Sequence, residues 1–187
     1  MQPTGNEPVR FTLSDFNQIE KTGVFEQRSE RIELIDGELR TMSPATEELD
    51  DVISYLNRWS ADVAGDRFRI FVQSGLRLLH SDSMPEPDLY WTDLSQGRGR
   101  PTSSVVPLVI EVSVSSLQYD LTVKQSLYAV EQIPEYWVVD PISQLLIVHV
   151  QPLGQRYSKV DTFAVGQTVT PVCLPGAVLD LHWLFIE

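Results

Sequence analysis

The sequence predicts an α/β (α+β) domain in which helices flank a mixed β-sheet. Three observations carry that reading. The apolar pattern runs helix, hairpin, helix, several strands, helix, strands. The segments 107–114, 119–132 and 135–140 read as strand, helix, strand, a βαβ crossover that lays two strands parallel. At 42% hydrophobic residues, the 187-residue chain has the material for one well-filled core. Residues 11–187 are therefore expected to form a single domain behind a loose N-terminal tail, 1–10.

The first element spans Thr12 to Gly23. Thr12 is a candidate N-cap, Leu13, Phe16 and Ile19 recur every three residues, and Gly23 ends the pattern. In Arg31 to Arg40, Asp36-Gly37 separates two apolar stretches, the pair a type I′ hairpin turn favours because both central residues need positive φ. Ser43-Pro44 offers a cap and a first-turn proline for the longest helix, on which Leu49, Val52, Ile53, Leu56, Trp59 and Val63 repeat until Gly65. Its early acids, Glu47, Glu48, Asp50 and Asp51, complement the helix dipole. Strand-like runs follow at 69–73, 75–79 and 88–91, and a polar stretch, 92–104, leads to Pro107–Val114. That strand is apolar on both faces, as a strand covered on two sides must be. Tyr119 to Gln132 is helical, Pro134 to Asp140 and Leu145 to Val150 are strands, and short strands separated by Gly166, Pro171, Pro175 and Gly176 lead to the apolar end Leu181–Ile186.

Composition excludes several classes of function. A lone cysteine, Cys173, rules out an internal disulfide, and with only three widely spaced histidines it rules out a four-ligand Cys/His zinc cluster. No apolar run approaches the roughly 20 residues a membrane span needs, and the N-terminus lacks a basic-then-apolar leader pattern, so a cytoplasmic protein without membrane contact is expected. The formal charge of −12 argues against a broad nucleic-acid footprint, which requires clustered Lys and Arg.

Chemistry concentrates at three positions. Asp88 opens a strand, Glu111 lies in the most apolar strand of the chain, and Lys124 is on the helix after it. A carboxylate flanked by Leu108, Val109, Ile110 and Val112 is costly to bury unless it is paired or bound to a cation. Two carboxylates about 4 Å apart repel by roughly 4 kcal/mol at an effective dielectric of 20. Asp88 and Glu111 on neighbouring strands would thus favour proton uptake or a hard cation such as Mg²⁺, which takes one or two carboxylates and keeps several waters. Asp120, Lys124 and Tyr128 share one helix face, where Lys124 is suited to the attacking water or to charge on phosphoryl oxygens. The same residues also read as an exposed i,i+4 pair, with Glu111 satisfied by a backbone or arginine partner. Spacing alone leaves both readings open.

Taken together, Pro87-Asp88, Glu111-Val-Ser-Val-Ser-Ser116, Asp120-x-x-x-Lys124-x-x-x-Tyr128 and Pro134-Glu-Tyr-Trp-Val-Val-Asp140 resemble a bacterial family of restriction endonuclease-like proteins, abundant in cyanobacteria, within the PD-(D/E)XK superfamily. The hairpin Glu33–Leu39 and Met42-Ser-Pro44 resemble it too, so the likeness runs from about residue 11 to the end. The resemblance implies a restriction-endonuclease-like fold with a four- or five-stranded mixed core sheet flanked by helices; the N-terminal hairpin and extra C-terminal strands are expected beside it. It also implies Mg²⁺-dependent (or Mn²⁺-dependent) phosphodiester hydrolysis, most readily of DNA, leaving a 5′-phosphate. Asp88 and Glu111 correspond to the motif acids, and the backbone carbonyl of Val112 to a further metal ligand. The motif lysine would fall at Ser113; Lys124 matches a lysine that has migrated to the following helix. Glu33 reads equally as an additional acid of the site or as a surface residue of the hairpin, and Asp120 as an acid that helps position the Lys124 ammonium.

The chain departs from the pattern where many members carry a histidine, near the start of the long helix; here the residues are Glu47-Glu48-Leu49. That departure keeps a second reading, a weak or inactive homologue serving as a binding or homodimeric assembly module. His80, His149 and His182 form no metal-spaced set, and Cys173, Trp91, Trp137 and Trp183 read as core. The Gly97–Pro101 loop is compact, flexible and basic, which makes Arg98 and Arg100 the nucleic-acid-binding candidates.

Overall fold

A computed structural model describes residues 9–42, 46–94 and 97–186. Most of the expected N-terminal tail, residues 1–8, and the Ser43-Pro44 cap lie outside the described residues. Helix α1 (Leu13–Lys21) starts at the expected cap: Thr12 and Asp15 exchange side-chain to backbone hydrogen bonds in a capping box. Strands β1 (Ile32–Ile35) and β2 (Glu38–Thr41) form the hairpin, turning at Asp36 and Gly37 with φ of 49° and 74°. The long helix α2 (Glu47–Ala64) is capped by Thr46, whose side chain accepts the Leu49 amide.

Strands β3 (Phe68–Val72), β4 (Leu89–Asp93), β5 (Leu108–Val112), β6 (Glu135–Asp140), β7 (Leu145–Leu153) and β8 (Arg156–Ala164) form one sheet in that order. Only β5 and β6 run parallel, joined by the expected crossover. The main sheet has six strands against the four or five implied by the resemblance, because the β7–β8 hairpin extends it. Two short strands, β9 (Thr168–Val169) and β10 (Leu179–Asp180), pair separately, and the apolar C-terminus is a helix, α5 (Leu181–Ile186).

Residues 75–79 form no strand. Leu76 and Leu78 are buried as their alternation suggests, but the backbone turns back at Ser83 after a single bridge from Leu78, and Arg77 makes one further bridge to Thr102. Buried Glu131 pins this turn by accepting the amides of His80 at 2.8 Å and Ser81 at 3.0 Å and the Ser103 hydroxyl at 2.8 Å.

The crossover helix has three parts, α3 (Leu117–Tyr119), a π-helical turn (Asp120–Lys124) and α4 (Gln125–Val130). Alternation along the central strands sorts the core into two layers. Leu108, Ile110, Leu89, Trp91 and Trp137 pack against α2. Val109, Tyr90, Tyr136 and Val138 pack against α4 through Leu127 and Tyr128. Trp91 and Trp137 are thus core residues as expected, whereas Trp183 is about half exposed. Among the described residues no helix is long and apolar enough to cross a membrane.

Candidate active site

Strand register explains why the acids meet. Strands β4 and β5 are antiparallel with Leu89 opposite Ile110, so one step further places Asp88 opposite Glu111. Both then point to the α4 face, since Tyr90 and Val109, two residues away on each strand, do so. The backbone ladder stops at this step and side chains continue it. Val112 N donates to Asp88 Oδ2 at 2.8 Å, and Asp88 N donates to Glu111 Oε2 at 3.3 Å. Both carboxylates are more than nine-tenths buried.

Lys124 reaches the same point from the crossover helix. Its Nζ lies 2.9 Å from Glu111 Oε1 and 3.4 Å from Glu33 Oε2 on β1. Tyr128, one turn on, donates to Glu111 Oε1 at 2.7 Å. The π turn ends at Lys124, and such turns occur often at functional sites. Asp120, at its start, accepts from Ser113 Oγ at 2.7 Å and Ser116 Oγ at 2.5 Å. Ser113, at the position of the usual motif lysine, therefore holds an acid of the same cluster in place.

Four buried carboxylates, of Glu33, Asp88, Glu111 and Asp120, thus face one ammonium. Burial and the Glu111 charge push Asp88 up to about 7, and the same two causes push Asp120 up to about 6. Burial also raises Glu33, against the pull of Lys124. Burial alone would lower Lys124; Glu111, Glu33 and Asp120 outweigh it and hold the ammonium above the ordinary lysine value. In this arrangement Lys124 is a protonated hydrogen-bond donor and a positive charge at neutral pH.

These residues line a cleft of about 610 Å³ with Val112, walled on one side by the hairpin (Leu39, Arg40, Thr41) and on another by the start of α2 (Thr46, Leu49). Of the residues singled out from sequence, Asp88, Glu111, Val112, Lys124, Asp120 and Glu33 come together here. Arg98 and Arg100 do not line the cleft. The Arg100 guanidinium makes two 2.6 Å bonds to Glu20 on α1, and Arg98 is exposed. Sequence reasoning did not single out Tyr119 or Arg40. The only signal for Tyr119 is its place just before Asp120, and for Arg40 its place on the hairpin strand after Glu33.

With this geometry in place, the chain can be compared with known proteins. The family model Uma2, described as "Putative restriction endonuclease", matches residues 13–182. The chain belongs to the Uma2 family. The fold is also that of a crystal structure at 1.96 Å of "a putative nuclease belonging to DUF820" from Anabaena variabilis ATCC 29413, with a TM-score of 0.73 at 17% identity over 95% of this chain and 98% of that one. No curated protein matches the chain. The α/β sheet flanked by helices expected from the sequence is thus both observed and shared with that structure.

Restriction endonuclease-like proteins generally use divalent metal ions, and the residues of this Uma2 chain fit one. The donors are hard oxygens with lone pairs to spare, they outnumber the nearby cation, and Glu33 Oε2 is buried without a hydrogen bond. Among the described residues no three His, Cys, Asp or Glu side chains form a self-sufficient metal cage.

Proposed function

We propose that this Uma2 protein is a Mg²⁺-dependent endonuclease that hydrolyses phosphodiester bonds in DNA. The observation that carries this reading is the juxtaposition of Asp88 and Glu111 across a strand pair, with the Lys124 ammonium 2.9 Å from Glu111 at the wall of an open cleft. Asp88 and Glu111 would hold the ion. The Val112 carbonyl suits a third ligand, because in an extended strand a residue's C=O points to the same side as its N–H, and the Val112 N–H bonds Asp88. Bound magnesium supplies Lewis acidity and a water acidified toward neutral pH.

The remaining roles belong to the chain. Lys124, cationic at neutral pH, orients a water by donating to it and stabilises charge on the phosphoryl oxygens. Tyr128 and Lys124 fix the Glu111 carboxylate between them. Asp120, braced by Ser113 and Ser116, adds to Glu111 and Glu33 in keeping the ammonium charged.

The test is nicking of supercoiled plasmid, compared with single-stranded DNA and RNA, in Mg²⁺ and in Mn²⁺. Wild type should nick DNA, whereas Asp88→Asn and Lys124→Ala should fall by at least about 100-fold, the scale of losing one preorganised charge-stabilising group. Equal cleavage by wild type and Lys124→Ala would assign the activity elsewhere. A wild type that binds Mn²⁺ or self-associates but never cleaves would favour a binding or homodimeric module instead.

A further inference from the structure

We propose that Arg40 and Tyr119 form a phosphate clamp at the mouth of the cleft, gripping a phosphate of the bound DNA strand next to the one that is cleaved. The inference rests on the nuclease reading and names the group that receives the polyanion. Apart from Lys124, the charged side chains lining the cleft among the described residues are the four carboxylates and Arg40. Lys124 is buried and engaged by Glu111 and Glu33. An incoming polyanion therefore meets Arg40 as its one cation at the rim.

The arginine is held by its surroundings but not used up by them. Its guanidinium lies over the Tyr119 ring, 5.6 Å from the centroid, and Nη2 bonds Glu38 Oε2 at 2.9 Å. The side chain is 43% exposed. A guanidinium carries five N–H donors in a planar fork that matches phosphate oxygens, and its contacts to Glu38 and Tyr119 leave donors available. Other arginines of the region are occupied: Arg31 bonds Glu86 at 3.0 Å and 2.7 Å, and Arg100 bonds Glu20 twice at 2.6 Å.

Tyr119 supplies the platform. It immediately precedes the π turn that carries Asp120 and Lys124, so the ring under Arg40 and the catalytic ammonium belong to one rigid element. Its ring face, which a cation above it finds attractive, lies under the guanidinium, and its buried hydroxyl is close enough to Arg40 to interact with it as well. Tyr119 is a positioning residue and Arg40 a binding one.

The experiment measures binding of labelled 20-nucleotide DNA, single-stranded and duplex, in Ca²⁺ across a salt series, with cleavage kinetics in Mn²⁺ beside it. Arg40→Ala should weaken binding about tenfold at low salt and reduce the slope of log K against log salt by about 0.9 for duplex or about 0.7 for single strands, the loss of one phosphate contact. In cleavage the loss should fall on KM. Arg40→Lys should recover the salt slope with only part of the affinity, and Tyr119→Leu should weaken binding about threefold while Tyr119→Phe, which keeps the ring face, retains it. Unchanged affinity and slope in Arg40→Ala, or a loss confined to the rate at saturating DNA, overturns the clamp. If the wild type cleaves and Arg40→Ala matches it, the clamp alone is lost. If the wild type neither binds nor cleaves DNA, the clamp and the nuclease reading fall together.

Discussion

Asp88→Asn separates what the site does for function from what it costs in stability. The substitution keeps shape and an acceptor for the Val112 amide, which Asp88 Oδ2 now receives at 2.8 Å, and it removes one of two opposed buried charges. In the folded protein Asp88 is raised from 3.8 to about 7, by burial first and the Glu111 charge second. Because the folded value is the higher one, the fold takes up a proton. The stability linked to that proton is fully present below about pH 4 and is lost as pH rises through about 7. At about 1.4 kcal/mol per tenfold change, the full shift corresponds to roughly 4 kcal/mol above pH 7 in metal-free protein. The asparagine carries no such dependence. In EDTA the two proteins should be equally stable at pH 4, and Asp88→Asn should be the more stable by about 2–4 kcal/mol at pH 8. Each kcal/mol moves the melting temperature of a chain this size by about 2–4 °C. Urea or thermal unfolding at pH 4, 6 and 8 reads this directly, and Mg²⁺ or Mn²⁺ should then stabilise wild type but not the variant. A gap independent of pH, or a wild type more stable at pH 8 without metal, would refute the reasoning.

Other perturbations test the same cluster from different sides. Lys124→Met leaves Glu33, Glu111 and Asp120 buried without their ammonium, which should cost about 3–5 kcal/mol at pH 8 by urea unfolding and less at pH 5, where Asp120 and Glu33, both raised by burial first, take up protons more readily. Tyr128→Phe removes a 2.7 Å bond to Glu111, a loss of about 1–3 kcal/mol on the same assay, with reduced nicking. Gly37→Ala puts a Cβ 2.7 Å from Arg10 Cβ and 3.0 Å from Phe11 O at a φ of 74°, so it should destabilise the hairpin that carries Glu33 and Arg40 by about 1–3 kcal/mol, seen as earlier unfolding and weaker DNA binding. Divalent metal and DNA should help each other: titrated Ca²⁺ should raise DNA affinity, and saturating DNA should raise Ca²⁺ affinity by the same factor.

Much of this architecture is legible in the chain because local and global signals agree. Thr12 announces a helix cap, Asp36-Gly37 announces the turn, and the apolar strand before Leu117–Val130 announces a parallel crossover. Glu111 stands out because a charge in Leu108–Val112 violates the pattern of a buried strand, and such violations mark functional positions. Longer-range pairing was not visible. Leu76 and Leu78 alternate as a strand would, yet whether a ladder forms depends on which backbone lies alongside, and here Glu131 pins the segment into a turn. The β4–β5 register that sets Asp88 across from Glu111 follows from no local propensity, and the π turn that brings Lys124 to Glu111 has no compositional mark. Arg40 escaped notice for the same reason. Nothing near it in sequence says that Tyr119 lies under it, whereas the Gly97–Pro101 loop advertises its arginines although Arg100 is tied to Glu20.

The acidity that first argued against nucleic acid takes a different meaning once four of the carboxylates are placed. Spread over a surface, a charge of −12 repels a polyanion; gathered behind a cleft mouth, the same sign of charge becomes the binding free energy of a cation. A site built from Glu33, Asp88, Glu111 and Asp120 around one lysine holds more negative than positive charge when empty, and Asp88 is lifted there by burial first and by the Glu111 charge second. Protonation relieves it at low pH and a divalent ion would relieve it at neutral pH. Only the second relief leaves the carboxylates ionised and the cleft able to receive a phosphodiester. On this account the chain needs no basic face. An ion in the cleft, with Lys124 behind it and Arg40 at the rim, would suffice, and DNA binding should be weak and fall only shallowly with salt, because the slope scales with the number of phosphates neutralised and few are.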